Sequence, residues 1–465
     1  MVENKKKSIA IIGAGIAGLT AGALLCKKGY DVSIFERQED LGGRALALDG
    51  SNITIESYQK ALTANNCFIP FSNPDIKTII EKEYFKGYKI DLGYHAIGGG
   101  VLSNLNSVLS FFDESLDFLE SYVGMIYDDH YDYPFLSKMD KLKILPNILR
   151  LLFASEKTLQ KLDSVSITKT INRYGKGKMK HILEVFSRTI TTVNNLDRIS
   201  TGEMFRSQRN LYRGSKPVGY PIGGLGIIHD KLADIIKKQG GKIYLNSHVE
   251  RIIFKDNKAA GIQIDAKNHE FDYYVYSGLL QQLFSVADQK SFPKDYVNKL
   301  KSLTGTGSLC SYYSLNKVNE DLIGKTFHFI QRNAGVDGKD AVGMIDFMSA
   351  SPSSKIAPDN AYLVQAYIIC TPDEAKNKVV LEKLKNILDK NMSRLIPNYN
   401  DNLNWSLYSS VWHLDGVAKT IDNPKPSIDT PIENLFVIGD GVKAMGIGFN
   451  CALNSARKLV DEYIN

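Results

Sequence analysis

Three glycines and one carboxylate carry the first chemistry legible in the chain. Gly13, Gly15 and Gly18 stand in the segment Gly13-Ala14-Gly15-Ile16-Ala17-Gly18, a G-x-G-x-x-G pattern, and Glu36 follows 18 positions beyond Gly18. The first glycine permits a tight turn, the second lets a pyrophosphate approach the backbone without a Cβ in the way, and the third lets a helix pack close on a strand. Phosphates placed there lie on the N–H groups and the positive end of the helix dipole. Glu36 is spaced to accept hydrogen bonds from both hydroxyls of an adenosine ribose, and its charge would repel the extra phosphate of NADP. The pattern therefore suits FAD or NAD.

That chemistry needs a strand before the glycines, a helix after them and a second strand ending at the carboxylate. Ser8-Ile9-Ala10-Ile11-Ile12 is a short apolar, β-branched run that reads as a buried parallel strand. Leu19 to Lys28 carries a helical apolar pattern ending at Gly29, and Val32-Ser33-Ile34-Phe35 reads as the second strand, closing on Glu36. A G-x-G-x-x-G alone could be no more than a glycine-rich turn. With all four parts in register it spells one complete βαβ unit.

Shortly after Glu36 comes Gly42-Gly43-Arg44, and here the chain resembles the flavin-containing amine oxidase and phytoene desaturase superfamily, whose N-terminal fingerprint runs from a ribose-binding Glu into G-G-R. The resemblance implies FAD rather than NAD. It places Gly42, Gly43 and Arg44, with Arg37 before them, beside the flavin pyrophosphate and ring. The family-like segment Tyr88 to Ile97 resembles the strand that normally comes next, here delayed by an added stretch at about 48–86. That stretch reads either as a surface loop or as a lid or membrane-contacting flap. His95 falls where the family brings groups near the flavin, although a lone His is more often structural. The resemblance resumes at Tyr220-Pro221-Ile222-Gly223-Gly224, followed by a helix at Ile227–Lys238, a strand at Lys242–Leu245 and Val249, whose backbone it sets against the adenine end of FAD. Arg251–Phe254 and Ala259–Ile264 read as a meander, and Phe271–Ser277 as a return to the main sheet.

The chain closes on a strand, Asn434–Ile438, then Gly439-Asp440, a loop containing Gly446-Ile447-Gly448, and a helix from Cys451 through Val460. This resembles the family's second FAD signature. The resemblance implies that Asp440 binds a ribityl hydroxyl through its carboxylate and the pyrophosphate side through its N–H, while Gly446, Ile447 and Gly448 approach the ring and the final helix points its positive end at it.

Between the signatures, Leu102 to Arg213 looks helical and carries no chemical motif. Leu142–Phe153 and Met179–Thr191 have the three- and four-residue apolar steps of amphipathic helices, and Lys141–Phe153 pairs apolar residues with cations in a way that suits a membrane surface. Arg206, Arg209 and Arg213 would share a helix face, solvated or anion-binding. Residues 301–413 alternate β-rich runs with one charged helix, Pro372–Leu395, which predicts an antiparallel sheet under a helical cap. Tyr312, Tyr313, Phe327, Phe329, Phe347, Tyr367, Tyr408 and Trp412 would either line an apolar tunnel there or fill the core.

The expected fold is α/β, a Rossmann-like FAD-binding domain (1–100, 214–300 and 414–465) interleaved with an α+β substrate domain (101–213 and 301–413). A length of 465 residues suits two domains. A net charge of +6, spread along the chain, gives no nucleic-acid footprint. No run approaches the roughly 20 apolar residues that span a bilayer, and no signal peptide is recognisable, so a cytoplasmic protein with peripheral membrane contact is expected. Five cysteines without a C-x-x-C suggest neither a reactive dithiol nor a metal site. By resemblance, the chain is an FAD-dependent oxidoreductase acting on carbon–carbon bonds of an apolar, isoprenoid or other unsaturated lipid, with its electron donor or acceptor left open. The rivals are an amine oxidase, for which Lys443 and Trp412 are imperfect candidates, and a flavoprotein that binds without turnover.

Overall fold

The computed structural model describes residues 6–93 and 96–464. His95 therefore lies outside the described residues. Ser8–Ile12 forms the centre of a five-stranded, wholly parallel sheet in the order Lys242–Tyr244, Asp31–Phe35, Ser8–Ile12, Tyr273–Tyr276, Leu435–Val437. Ile9, Ala10 and Ile11 are fully buried, as expected of a strand covered on both faces. The helices Ile16–Lys27, Gly226–Lys238 and Gly448–Lys458 supply that cover, the first packing against both others. A three-stranded meander, Arg251–Lys255, Lys258–Ile264 and Lys267–His269, stands beside it.

The second large unit is an eight-stranded sheet in the order Cys67–Asn73, Leu403–Val411, Gly307–Leu315, Tyr362–Cys370, Ala341–Asp346, Thr326–Gln331, Val123–Ile126, Tyr131–Asp132. Its pairings are antiparallel except that Val123–Ile126 runs parallel to Thr326–Gln331. Gly307–Leu315 is buried at all nine positions, so both sheet faces are covered. The helix Lys378–Leu395 packs on one face, burying Leu381, Leu384 and Leu388. On the other, the helix Gly177–Thr191 lies across part of the sheet.

Three expectations are corrected. The 48–86 stretch is neither a loop nor a flap: its residues 67–73 are the edge strand of the eight-stranded sheet, and Tyr58, Ile79 and Phe85 from the same stretch are buried. Pro70 sits inside that strand, and an edge strand is where a residue without an N–H is tolerated. Leu102–Arg213 is not wholly helical, because Phe118–Ser121 and Val123–Ile126 are strands; apolar runs this short have no periodicity to tell helix from strand. Arg206, Arg209 and Arg213 do not share one solvated face: Arg206 is buried, Arg209 is half-buried and Arg213 is exposed at the cavity. Arg206 is buried between Glu156, Asp163 and Glu203, Arg209 donates to Ala154 O and Glu156, and Arg213 to Leu152 O.

Candidate functional site

The turn after the first strand is shaped by its glycines. Gly13 takes φ +105°, and its N–H bonds to Phe35 O at 2.8 Å, tying the turn to the second strand. A Cβ on Gly18 would stand 2.1 Å from Gly13 O, so any side chain there would push the helix off the turn. A Cβ on Gly15 would have nothing nearer than Gly42 O at 3.9 Å, which leaves open space in front of the backbone. No side chain caps the helix Ile16–Lys27, so the N–H groups of its first turn are left for a ligand. Glu36 ends the second strand almost buried, accepting from Ala14 N–H at 2.8 Å and from Gln38 N–H at 2.9 Å.

One cavity of about 560 Å³ gathers most of the expected positions. Gly13, Gly15, Ile16, Ala17, Glu36, Arg37, Gly42, Gly43, Arg44, Val249, Gly439, Asp440, Gly446, Ile447 and Gly448 all line it. Ala14 and Gly18 do not. Ala14 is fully buried behind the turn and holds Glu36 through its N–H, and Gly18 faces the strand, as close packing requires. Arg37 donates to Ala64 O at 3.1 Å, so the end of the helix Ile55–Ala64 in the added stretch also reaches the cavity rim.

Arg44 and Asp440, expected to meet a cofactor separately, are paired with each other. The guanidinium forks onto the carboxylate, with Nη1 to Oδ2 at 3.0 Å and Nη2 to Oδ1 at 2.5 Å, and Gly416 N–H adds a third bond to Oδ2 at 2.7 Å. Burial alone would raise the Asp440 carboxyl, but the charge and hydrogen bonds of Arg44 hold it below the ordinary carboxylate range. With its oxygens already engaged, Asp440 orders the loops at both ends of the chain around the cavity.

The far end of the cavity is a different environment. Phe186, Thr189 and Ile190 face it from one helix, and His328, Met344 and Tyr367 from the eight-stranded sheet. His328 stacks on Phe186 with ring centroids 5.0 Å apart, and burial pushes its imidazole down to about 3, so it is uncharged at neutral pH. Of the eight aromatics expected to form a tunnel, Tyr367 alone lines the cavity. Tyr312, Tyr313, Phe327, Phe329, Phe347 and Tyr408 are buried core, and Trp412 packs against Phe68. His413 and Lys443 do not line it either, and Lys443 is exposed. Sequence reasoning missed Asp415, a buried carboxyl on the cavity wall. Its only signal in the sequence is an acidic residue two positions beyond the β-rich span that ends at His413.

A glycine-shaped turn, uncapped helix and buried acceptor make a cradle for a dinucleotide, and comparison with known proteins identifies its kind. The model of the flavin-containing amine oxidoreductases matches residues 16–462, and the chain belongs to that family. Its cofactor is FAD. Among curated relatives, a 4,4'-diapolycopen-4-al dehydrogenase from Metabacillus indicus is 23% identical over 337 residues, 67% of this chain and 63% of that protein. A 1-hydroxycarotenoid 3,4-desaturase from a Flavobacterium strain is 24% identical over 333 residues, 67% of this chain and 64% of that protein. The chain thus spans somewhat under two thirds of the length of either relative. An oxidoreductase of Methanosarcina mazei shares the fold, with a TM-score of 0.72 at 19% identity over 98% of this chain and 100% of that one.

Proposed function

We propose that this protein is an FAD-dependent oxidoreductase acting on carbon–carbon bonds of an apolar isoprenoid or other unsaturated lipid. The observation that carries the reading is the apolar surface at the far end of the cavity, where Phe186, Ile190, Met344 and Tyr367 stand around a neutral His328 and carry no charge. The name of one curated relative, a 1-hydroxycarotenoid 3,4-desaturase, points the same way. Bound FAD would supply the hydride chemistry, accepting or giving a hydride at the substrate carbon. The chain's own part is to hold and shield. The first-turn N–H groups of Ile16–Lys27 would meet the pyrophosphate, Glu36 the ribose, and the Arg44–Asp440 pair would fix the loops beside the ring. Apolar walls would keep water from the reacting bond. Desaturation, saturation and isomerisation all fall within this reading.

Access by a lipid would be from a membrane surface. No helix among the described residues is long and apolar enough to cross a bilayer. The helix Lys138–Leu152 buries none of its residues, however, and leaves Met139, Leu142, Leu145 and Leu149 exposed, with Phe153 beyond its end 85% exposed. Lys138, Lys141, Lys143 and Arg150 lie on the same helix, which suits shallow insertion among anionic headgroups. It packs on the helix Thr201–Arg213, whose residues Ser207, Asn210, Leu211 and Arg213 line the cavity, and Leu102, 66% exposed, lines it too. The apolar helix therefore stands beside the cavity's outer wall.

The test is anaerobic bleaching of the FAD-loaded protein. Phytoene in liposomes is expected to reduce the flavin and putrescine to leave it oxidised. Bleaching by putrescine with no response to phytoene would replace this reading with an amine oxidase.

A further inference from the structure

Asp415 follows the strand Leu403–Val411 and lines the cavity, 8% exposed. Two elements fix it. Thr192, which caps the helix Gly177–Thr191 in a left-handed conformation (φ +51°), donates its hydroxyl to Asp415 Oδ2 at 3.2 Å. Thr306 Oγ1, 2.7 Å from the same Thr192 hydroxyl, accepts from the Asp415 N–H at 2.9 Å, and Thr306 N–H returns a bond to Asp415 O at 3.1 Å. Oδ1 points the other way, towards the start of the C-terminal helix, where a Cβ on Gly448 would come within 2.5 Å of it. Gly448 and Asp415 thus meet at the junction of the FAD-side loop and the lipid-side wall, which also carries Thr189, Thr192 and Tyr367.

The charges around Asp415 leave it without a counter-ion. Asp440 is the acidic group whose charge acts on it; Arg44 is forked onto Asp440, and Lys425 donates to the Asp440 carbonyl at 2.5 Å. His413, on the same segment, is pushed down to about 4 by burial and is neutral. Among the described residues no cation forms an ion pair with Asp415. Burial, followed by the charge of Asp440, pushes its carboxyl up to about 7, against the weaker pull of Lys425, Arg44 and the Thr192 hydroxyl. A carboxyl in this state can both take and give a proton near neutral pH.

We propose that Asp415 is the proton-exchanging group of this site, taking a proton from the substrate carbon next to the one that gives up hydride. The proposal rests on the reading that FAD chemistry at a lipid carbon–carbon bond occurs here. One C–H bond breaks and its electron pair leaves as hydride to oxidised FAD, which is reduced by two electrons. The neighbouring C–H bond breaks with its proton passing to the Asp415 carboxylate, and its electron pair becomes the new π bond. Saturation is the reverse, with protonated Asp415 as donor, and isomerisation is one direction followed by the other.

The test compares wild type with Asp415→Asn, which keeps the shape and an acceptor for Thr192 but cannot titrate. Both proteins are loaded with FAD, and the pH dependence of the flavin reduction potential is followed by dye equilibration from pH 5 to 9. Reduction adds negative charge beside the carboxyl, so wild type should take up an additional proton per two electrons above pH 7, and the variant should not. Equal proton uptake overturns the proposal. So does loss of FAD from the variant at an unchanged melting temperature, which would make Asp415 a cofactor anchor. With phytoene as probe, flavin reduction should slow in wild type as pH falls below 7, and in the variant be about 10²–10⁴-fold slower and independent of pH. Differing proton uptake with no reduction by phytoene in either protein would support Asp415's coupling to the flavin and count against the lipid reading alone.

Discussion

In the parallel sheet the strands are three to five residues long, and the cavity is made by the turns that follow them; in the eight-stranded sheet strands reach nine residues, and the cavity is a patch on one face. The first region builds with backbone: Gly13 at positive φ, the uncapped start of Ile16–Lys27, the N–H groups that hold Glu36. The second builds with side chains chosen from a buried face on which apolar residues are interspersed with polar ones such as His328 and Gln365. A backbone site tolerates few residue types at a few spacings, whereas a patch on such a face can be moved by a single substitution. The dinucleotide end should therefore fail by losing its ligand, and the sheet should fail by losing stability.

The largest effect is expected in the sheet. Phe327 is fully buried among Tyr131, Tyr133 and Phe347, away from the cavity, and Phe327→Ala should cost about 3–5 kcal/mol in urea unfolding. Tyr367→Phe, on the cavity wall, removes the hydroxyl and with it the bond to Thr189 O, and should cost roughly 1 kcal/mol. Similar costs for the two would erase the distinction between core and wall on this sheet.

Asp91 offers a pH-dependent version of the same contrast. It is buried beside Tyr220, whose hydroxyl donates to Oδ2 at 2.8 Å, and burial raises its carboxyl to about 7. The unfolded value is about 3.9, so the folded chain binds this proton more tightly. The group's contribution to stability is then fully present below about pH 4, falls as pH rises towards 7, and is constant above. Three units correspond to on the order of 4 kcal/mol at 1.36 kcal/mol each. The difference in unfolding free energy between wild type and Asp91→Asn should drift across that window in favour of the variant. A flat difference from pH 4 to 8 would show that Asp91 ionises normally.

At the dinucleotide end, Glu36→Ala should leave thermal stability far closer to wild type than Phe327→Ala does, yet lower FAD affinity tenfold or more. Losing charge-assisted bonds costs roughly 1.5–3 kcal/mol. Equilibrium dialysis of FAD decides it, and undiminished affinity would remove Glu36 from the site.

These contrasts also explain what could be read from the chain in advance. The G-x-G-x-x-G turn, Glu36, the helix Gly226–Lys238 and the meander were legible because local backbone demands specify them. The Arg44–Asp440 fork was not, since the partners are 396 residues apart and each motif made sense alone. Tyr312 and Tyr313 are adjacent in a strand and so enter opposite layers, one facing the cluster around Tyr58 and the other the helix Lys378–Leu395. Without the strand's partners, no pattern says which layer holds the cavity. The edge strand Cys67–Asn73 was hidden for a related reason: Pro70 signals an edge, but an edge strand has meaning only beside its partner, here Leu403–Val411, more than 300 positions away.

The smallest effect on the folded molecule should be the clearest on its location. In Lys138–Leu152 the capping box of Ser137 and Asp140 and the tie from Arg213 to Leu152 O hold the helix in place, while no residue of it is buried. Its apolar side chains therefore contribute little to folding, and replacing Leu145 and Leu149 by Ser should shift the melting temperature hardly at all. Transfer of the same side chains into a bilayer interface is worth up to about 1.5–3 kcal/mol each when burial is complete. Flotation with liposomes containing phosphatidylserine should then show binding by wild type that falls tenfold or more in the double variant, and that weakens with salt because Lys138, Lys141, Lys143 and Arg150 attract the anionic surface. FAD content should be the same in both proteins. If the double variant floats as well as wild type, the helix is not the membrane contact; if it instead unfolds, its leucines support the fold, and the two regions of the molecule differ less than their architecture implies.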